Sequence, residues 1–285
     1  MKMKNKGIIP INKPNGWTSF DIVNKIKHMV KPLKVGHLGT LDPMATGVLL
    51  VTVGKATKLF DLMQEKQKTY VAEFEFGYVT DTLDATGEVI KTTKNIPTEQ
   101  QIKEVLNSFI GKISQIPPKY SAKSINGVRA YDLARNNQEF ELKPKTVEIY
   151  NISFLSYESN RLKLEISCGS GTYIRAIGRD VAEKLNSLST MTSLVRTNIS
   201  DYLVEDCFEI ENINKDNVFE KLMPIQNFLS LPKLELTDEE TFKLVNGQIL
   251  NVQQEDCEYL VINKENEVAI AEIKENTANM SIFLD

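Results

Sequence analysis

Two short runs constrain the fold of this chain more than any other feature. Residues 47–54 read GVLLVTVG, an apolar stretch closed at both ends by glycine. Residues 69–77 read TYVAEFEFG, with apolar side chains at alternate positions. A short apolar run between turn residues predicts a buried strand, and period-two alternation predicts a strand with one face covered and one wet. Helical segments stand between such strands. TSFDIVNKIKHMV places Phe20, Ile22, Val23, Ile26, Met29 and Val30 at helical spacing behind an N-cap at Thr18 or Ser19. TEQQIKEVLNSFIG begins with the capping-box pair Thr98 and Gln101 and closes on Gly111. TYIRAIGRDVAEKL reads as a helix capped by Thr172. GIIPI and MTSLVRTNIS read as strands, and KTVEIYNISFLSYE with RLKLEISCGS as a pair of strands. Strands and helices follow no regular βαβ order, so the expected class is α+β.

Positions 115–138, QIPPKYSAKSINGVRAYDLARNNQ, interrupt this pattern. The stretch opens on two prolines and is basic, and it reads as an excursion from the core with a short helix around 128–135. Long ordered excursions in compact domains usually carry function. The chain turns acidic and loop-like around 205–235. A short helix, TDEETFKLVNG, and short strands such as EYLVIN and EVAIAEI then complete a small β-rich appendage.

Composition narrows the function. The chain has 285 residues, 41% hydrophobic and 25% charged, which suits a soluble protein with a sizeable core in one or two domains. No apolar run approaches the roughly 20 residues of a membrane helix, and the lysine-rich start is broken at Pro10, unlike a signal peptide. Cys168, Cys207 and Cys257 are far apart, and the histidines are two, His28 and His37. The expectation is a cytoplasmic protein with no metal and no disulfide framework. Charge is uneven. Residues 1–200 hold 28 Lys and Arg against 19 Asp and Glu, whereas residues 201–285 hold 6 against 19. The first sixty residues carry ten lysines and two acids, Asp21 and Asp42. Such a front suits either a polyanion partner or an ordinary solvated face.

Several familiar motifs fail. VGKATK is no phosphate loop, because Leu49 and Ala56 stand where Gly and Ser or Thr are needed. GSGTYI lacks the third glycine of a dinucleotide loop, with Ile174 in its place. Asp81 and Asp84 of DTLDATG could form an acid–base pair, but Asp and Gly favour a turn there. Neither histidine sits in a nucleophile motif. What remains is the lone carboxylate of GHLGTLDPMATGVLLV, Asp42, which local physics reads first as a turn initiator before proline.

Five segments taken in order change that reading: KPNGWTS (13–19), GHLGTLDPMATGVL (36–49), KTYVAEFEFG (68–77), GTYIRAIGRD (171–180) and SLVRT (193–197). Together they resemble the bacterial tRNA pseudouridine synthase B (TruB) family, over about residues 7–230. GYVTDTLDATGEV and IPPKYSAKSINGVRAYDLAR also fit that family. The resemblance implies a pseudouridine synthase fold: a mixed, largely antiparallel central sheet flanked by helices and loops in residues 1–231, an RNA-clasping insertion at about 113–145, and a small PUA-like β domain at 232–285. It implies isomerisation of the T-loop uridine of tRNA, conventionally position 55, with no cofactor. The base is detached from N1, rotated and rejoined through C5 after being flipped out. The implied partner is the tRNA T-arm; a monomer without a protein partner is the default expectation. A non-catalytic tRNA-binding protein and a synthase acting on another RNA are the competing readings.

Carried over residue by residue, the resemblance makes Asp42 the nucleophile, attacking the uracil ring or C1′, with a glycal route as the third alternative. Arg175 pairs with it, keeping it ionised and aimed. Tyr70 stacks on the base and assists proton removal at C5. His37, Tyr173 and Leu194 touch the substrate, and Lys13 and Pro14 support the pocket floor. Lys119, Lys123, Arg129 and Arg135 contact RNA phosphates. The acidic tail departs from an RNA-binding accessory module, so its expected role is to complete the fold.

Overall fold

Ten strands among the described residues form one mixed sheet, and the buried run of the sequence lies inside it. The strand Thr46–Val53 runs antiparallel to Gly7–Lys13 on one side and parallel to Ser189–Ile199 on the other. Antiparallel pairs continue outward through Lys68–Phe76, Arg161–Cys168, Lys145–Glu158 and Gly111–Gln115. The computed structural model describes residues 5–285 except 65, 122, 126 and 137, and the main chain alone at Gln64 and Arg129. Along Lys68–Phe76 buried and half-buried positions alternate strictly, whereas Val48–Val53 are all buried. The two sequence patterns thus report one strand with a wet face and one without.

The helix Ser19–Met29 covers one end of this sheet, with Ile22 and Ile26 fully buried among Ile9, Ile11, Leu49 and Val51. Thr18 caps it, accepting from Asp21 N while the Asp21 carboxylate accepts from Thr18 N. The helix Ile174–Lys184 covers the other end, packing on Phe74, Leu164 and Ile166. Gly178 makes that approach close: a Cβ there would lie 2.2 Å from the Phe74 ring. Gly47 is required for a different reason. Its φ is +99°, and a Cβ would sit 2.2 Å from the Arg196 carbonyl on the neighbouring parallel strand.

Thr172 does not cap the helix Ile174–Lys184. Its hydroxyl donates to Gly169 O at 3.1 Å, and the N-cap position is Tyr173. The side chain of Gln115 does the satisfying instead. Its Oε1 accepts from Tyr173 N at 2.9 Å, and its Nε2 donates to Tyr173 O at 3.2 Å. This distant amide leaves no local signature in the sequence. The short strands Val35–His37 and Gly111–Gln115 have too few residues to show a period, and sequence patterning overlooks both.

The excursion contains a two-stranded hairpin, Ser124–Ile125 with Val128–Arg129, and the helix Ala130–Arg135, within the expected span. The acidic stretch after 204 is mainly short turns, apart from Phe208–Glu209, which pairs with Ile11–Asn12. A second sheet of five strands follows from Lys233, with the capped helix Asp238–Val245 beside it. Leu260, Ile270 and Leu284 from this end join Ile8, Val48 and Leu50 in one apolar cluster. The two sheets therefore share buried surface.

Candidate active site

Asp42 occupies the loop between the strands Val35–His37 and Thr46–Val53. Local turn chemistry holds it: Ala45 N donates to Asp42 O at 3.0 Å, closing a tight turn around Pro43. Buried polar groups fix the loop from below. Ser19 Oγ donates to Leu41 O at 3.2 Å and accepts from Leu41 N at 2.9 Å. Lys13, wholly buried, donates from Nζ to the carbonyls of Pro14, Trp17 and Pro43. Burial pushes the Lys13 ammonium down to about 8, with Asp42 pulling the other way. Pro14 is half-buried and takes part through its carbonyl.

The carboxylate meets Arg175 from the first turn of the helix Ile174–Lys184. Arg175 Nη2 donates to Asp42 Oδ1 at 2.9 Å and to Tyr120 O at 3.1 Å. Nη1 donates to Thr82 O at 2.9 Å and lies 3.3 Å from Asp84 Oδ2. One guanidinium thus serves two carboxylates and two carbonyls, which suits the planar fork of arginine and no other side chain. Burial raises the Asp42 carboxyl above its ordinary 3.8, Arg175 opposes that, and the nearby Asp84 adds to it. Arg175 therefore aims the carboxylate and pulls its pKa down, while burial and Asp84 keep it above the ordinary value.

Sequence reasoning places Asp84 in a turn and does not bring it to the site. DTLDATG is indeed a turn, but Asp84 is almost fully buried within it. Its Oδ1 accepts from the hydroxyls of Thr82 and Thr86, which leaves Oδ2 facing Arg175. Two carboxylates at a spacing of three were the available signal.

A cavity of about 310 Å³ opens beside this network. Asp42, Tyr70, Tyr173, Arg175 and Leu194 all line it, five of the expected site residues drawn from four separate stretches. Tyr70 and Leu194 are buried on adjacent strands. Burial raises the Tyr70 hydroxyl above its usual 10, against the pull of Arg196. A neutral phenol is the form this pocket favours, so removal of a C5 proton by Tyr70 needs a further acceptor for its own proton.

His37 is not part of the wall, which begins at the next residue, Leu38. Its Nδ1 is buried with no hydrogen-bond partner, and burial with the Arg196 charge lowers its pKa, favouring neutral imidazole. Lys119, Lys123 and Arg135 lie outside the cavity lining. Lys119 and Arg135 are exposed, Arg135 with its guanidinium 5.6 Å from the Tyr131 ring, and Lys123 is half-exposed. The side chain of Arg129 lies outside the described residues. The lining also holds Lys68, Lys145 and Arg196, none of them singled out from sequence although KTYVAEFEFG and SLVRT contain two of the three. Among the described residues no cluster of His, Cys, Asp and Glu could hold a metal ion.

Comparison with known proteins identifies the family. The family described as TruB family pseudouridylate synthase (N terminal domain) matches residues 27–174. A protein named tRNA pseudouridine synthase B from Clostridium kluyveri is 41% identical over 242 residues, 85% of this chain and 84% of its own length. One of the same name from Mycoplasma mobile is 39% identical over 274 residues, covering 95% and 92%. In structure, a chain from a Cbf5-Nop10-Gar1 complex aligns with a TM-score of 0.71 at 22% identity, over 99% of this chain and 84% of that one. A chain from an H/ACA ribonucleoprotein bound to a substrate RNA containing 2′-deoxyuridine aligns with a TM-score of 0.69 at 21% identity, over 98% and 85%. At that identity the likeness is one of fold.

Proposed function

This chain belongs to the TruB family of pseudouridylate synthases, and from that premise we propose that it isomerises the T-loop uridine of tRNA, position 55, to pseudouridine. The observation that carries the reading is Asp42 held 2.9 Å from Arg175 at the wall of a nucleoside-sized cavity that Tyr70 also lines. The relatives named tRNA pseudouridine synthase B support the substrate class.

In this reading the target nucleotide flips out of its loop into the cavity, and the ring packs on Tyr70, Tyr173 and Leu194. Asp42 attacks C1′, and the N1–C1′ bond breaks with its electron pair leaving on the uracil. The ring turns, C5 bonds to C1′, and the Asp42 carboxylate is released. C5 gives up its proton and N1 gains one, so nothing is added or lost. Attack on the ring or passage through a glycal would use the same carboxylate. Lys13 and Pro14 keep the Asp42 loop in place, and His37, just outside the wall, faces the RNA as neutral imidazole. Lys119, Lys123, Arg129 and Arg135 of the insertion at about 113–145 hold phosphates.

We divide the chain into a catalytic domain, 1–231, and a PUA-like domain, 232–285. The cluster shared by Leu50 and Ile270 supports a structural role for the second. The protein is taken to act alone as a cytoplasmic monomer. Among the described residues no helix is long and apolar enough to cross a membrane. The test is a purified chain incubated with unmodified tRNA transcript, followed by chemical mapping of pseudouridine. Product is expected at the T-loop position with the native chain, and none with Asp42→Asn, which still binds tRNA. No product from the native chain overturns the function, and turnover by the variant overturns the role of Asp42.

A further inference from the structure

The cavity grades from a buried end to an exposed mouth. Tyr70, Leu194 and Arg196 are buried, whereas Thr40, Phe60 and Lys145 of the same lining are exposed. Among the described residues Phe60 is the one large hydrophobic side chain that is both exposed, at 40%, and part of this lining. Phe20 and Phe242 are exposed as well, but they lie outside the lining, and a lone apolar side chain on a protein surface is ordinary.

The position of Phe60 follows from how its helix is anchored. The turn Gly54–Leu59 runs directly into the short helix Phe60–Gln64. Leu59 and Met63, four residues apart, are both buried in one cluster with Leu38 and Ala56. Side chains four apart share a helix face, so that face belongs to the core. Phe60 stands one residue on from Leu59, roughly 100° further round the axis, and leaves the core at the lip of the cavity. Leu38 belongs to the cluster and to the lining alike, so the same apolar contacts anchor the helix and back the cavity wall. The ring is thereby held in place without being covered.

A cavity of about 310 Å³ takes one nucleoside, and Tyr70 and Leu194 at its buried end are assigned above to the target ring. The nucleotides on either side of the target then stay outside, at the mouth. Flipping the target out takes a stacking partner from each of their bases and bares an apolar face. Aromatic side chains cover such faces in single-stranded RNA recognition, because every base presents a π-face that a flat ring matches. An aliphatic side chain offers apolar area there but no flat surface.

We infer that Phe60 stacks on the nucleobase next in sequence to the flipped uridine and so holds the RNA loop in its opened form. The inference rests on the isomerase reading above and adds a second base to the one that reading places in the cavity. The stack forms only once the target has left its place between its neighbours, so it favours the opened loop over the closed one. It requires that a base be present at the mouth and is indifferent to which base it is.

The test measures tRNA affinity by filter binding in an Asp42→Asn background, which keeps the target uridine unreacted, with Phe60 retained or changed to Leu or Tyr. Three transcripts are compared: intact, abasic on the 5′ side of the target, and abasic on its 3′ side. Phe60→Leu is expected to weaken binding of the intact transcript about tenfold, the effect of losing one base–aromatic stack. Phe60→Tyr, which keeps the flat ring, retains the affinity. On one of the two abasic transcripts the effect of Phe60→Leu disappears, and that transcript identifies the stacked base. No loss on the intact transcript, or a loss that persists on both abasic ones, overturns the inference. Should Phe60→Leu fail to fold, Phe60→Gln is read by the same comparison. Pseudouridine mapping with the native chain on the intact transcript is run alongside. Product there with a failed binding comparison overturns the inference alone, and absence of product overturns the isomerase reading.

Discussion

Replacing Arg175 with methionine removes the one cation that Asp42 and Asp84 share, at nearly constant volume. Both carboxylates then face each other across a buried site, and the carbonyls of Thr82 and Tyr120 lose their donor. Breaking a buried pair by deleting one partner typically costs about 3–5 kcal/mol. The Asp42 side chain is 29% exposed and Asp84 5%, so solvent shields part of this and the lower end, about 3 kcal/mol, is expected. For a chain of this size that lowers Tm by about 5 °C. The pH dependence is the sharper signature. Asp42 already titrates above its ordinary value in the folded protein, so its ionisation opposes folding. Without Arg175 the downward pull is gone and the folded value rises further. The deficit should therefore be largest near pH 8 and shrink as pH falls toward 5 and Asp42 takes up its proton. Differential scanning calorimetry of native and variant chains from pH 5 to 8 measures this directly. Adding Asp84→Asn to the variant should return about half of the lost stability. A deficit that is constant across this pH range, or that grows on acidification, would refute the account of the site as two carboxylates balanced on one guanidinium.

Other outcomes follow from the same structure. The single-turnover rate should fall on the acid side as pH drops through the raised pKa of Asp42, since the carboxylate is the reactive form; a rate flat down to pH 4 would remove Asp42 as nucleophile. Gly178→Ala drives a Cβ to within 2.2 Å of Phe74 and should cost about 1–3 kcal/mol in denaturant titration, because the helix carrying Arg175 must back away from the sheet. Alanine at Lys119, Lys123 and Arg135 together should weaken tRNA binding and flatten its dependence on salt, measured by filter binding across ionic strength, with the rate at saturating tRNA preserved.

Most of the sheet could be read from the sequence because its strands carry their environment in their own residues. The alternation of TYVAEFEFG and the solid apolar run of GVLLVTVG are local records of burial. The Thr18 and Thr98 caps are local as well, and both form. What could not be read is what depends on distance. Gln115 satisfies the helix start at Tyr173 across 58 positions, so Thr172 looked like the cap. Asp84 sits in a segment whose turn propensity is genuine, and nothing within it announces an arginine 91 positions away. Arg196 reads as one more strand residue, because its side chain is met by the main-chain carbonyls of Gly39 and Val48 rather than by any neighbour in sequence. Asp42 itself was ambiguous as a turn residue or a reactive group, and it is in fact set in a turn.

The division of labour around Arg175 has an evolutionary consequence. Two of its four acceptors are main-chain carbonyls, those of Thr82 and Tyr120. A carbonyl is the same whatever side chain its residue bears, so positions 82 and 120 are free to drift in this respect while the path of the backbone is kept. The other two acceptors are side chains, and a change at 42, 84 or 175 cannot be absorbed singly. These three positions should change together or not at all, and a descendant that abandoned Asp84 would have to find its replacement charge before it could do without the old one.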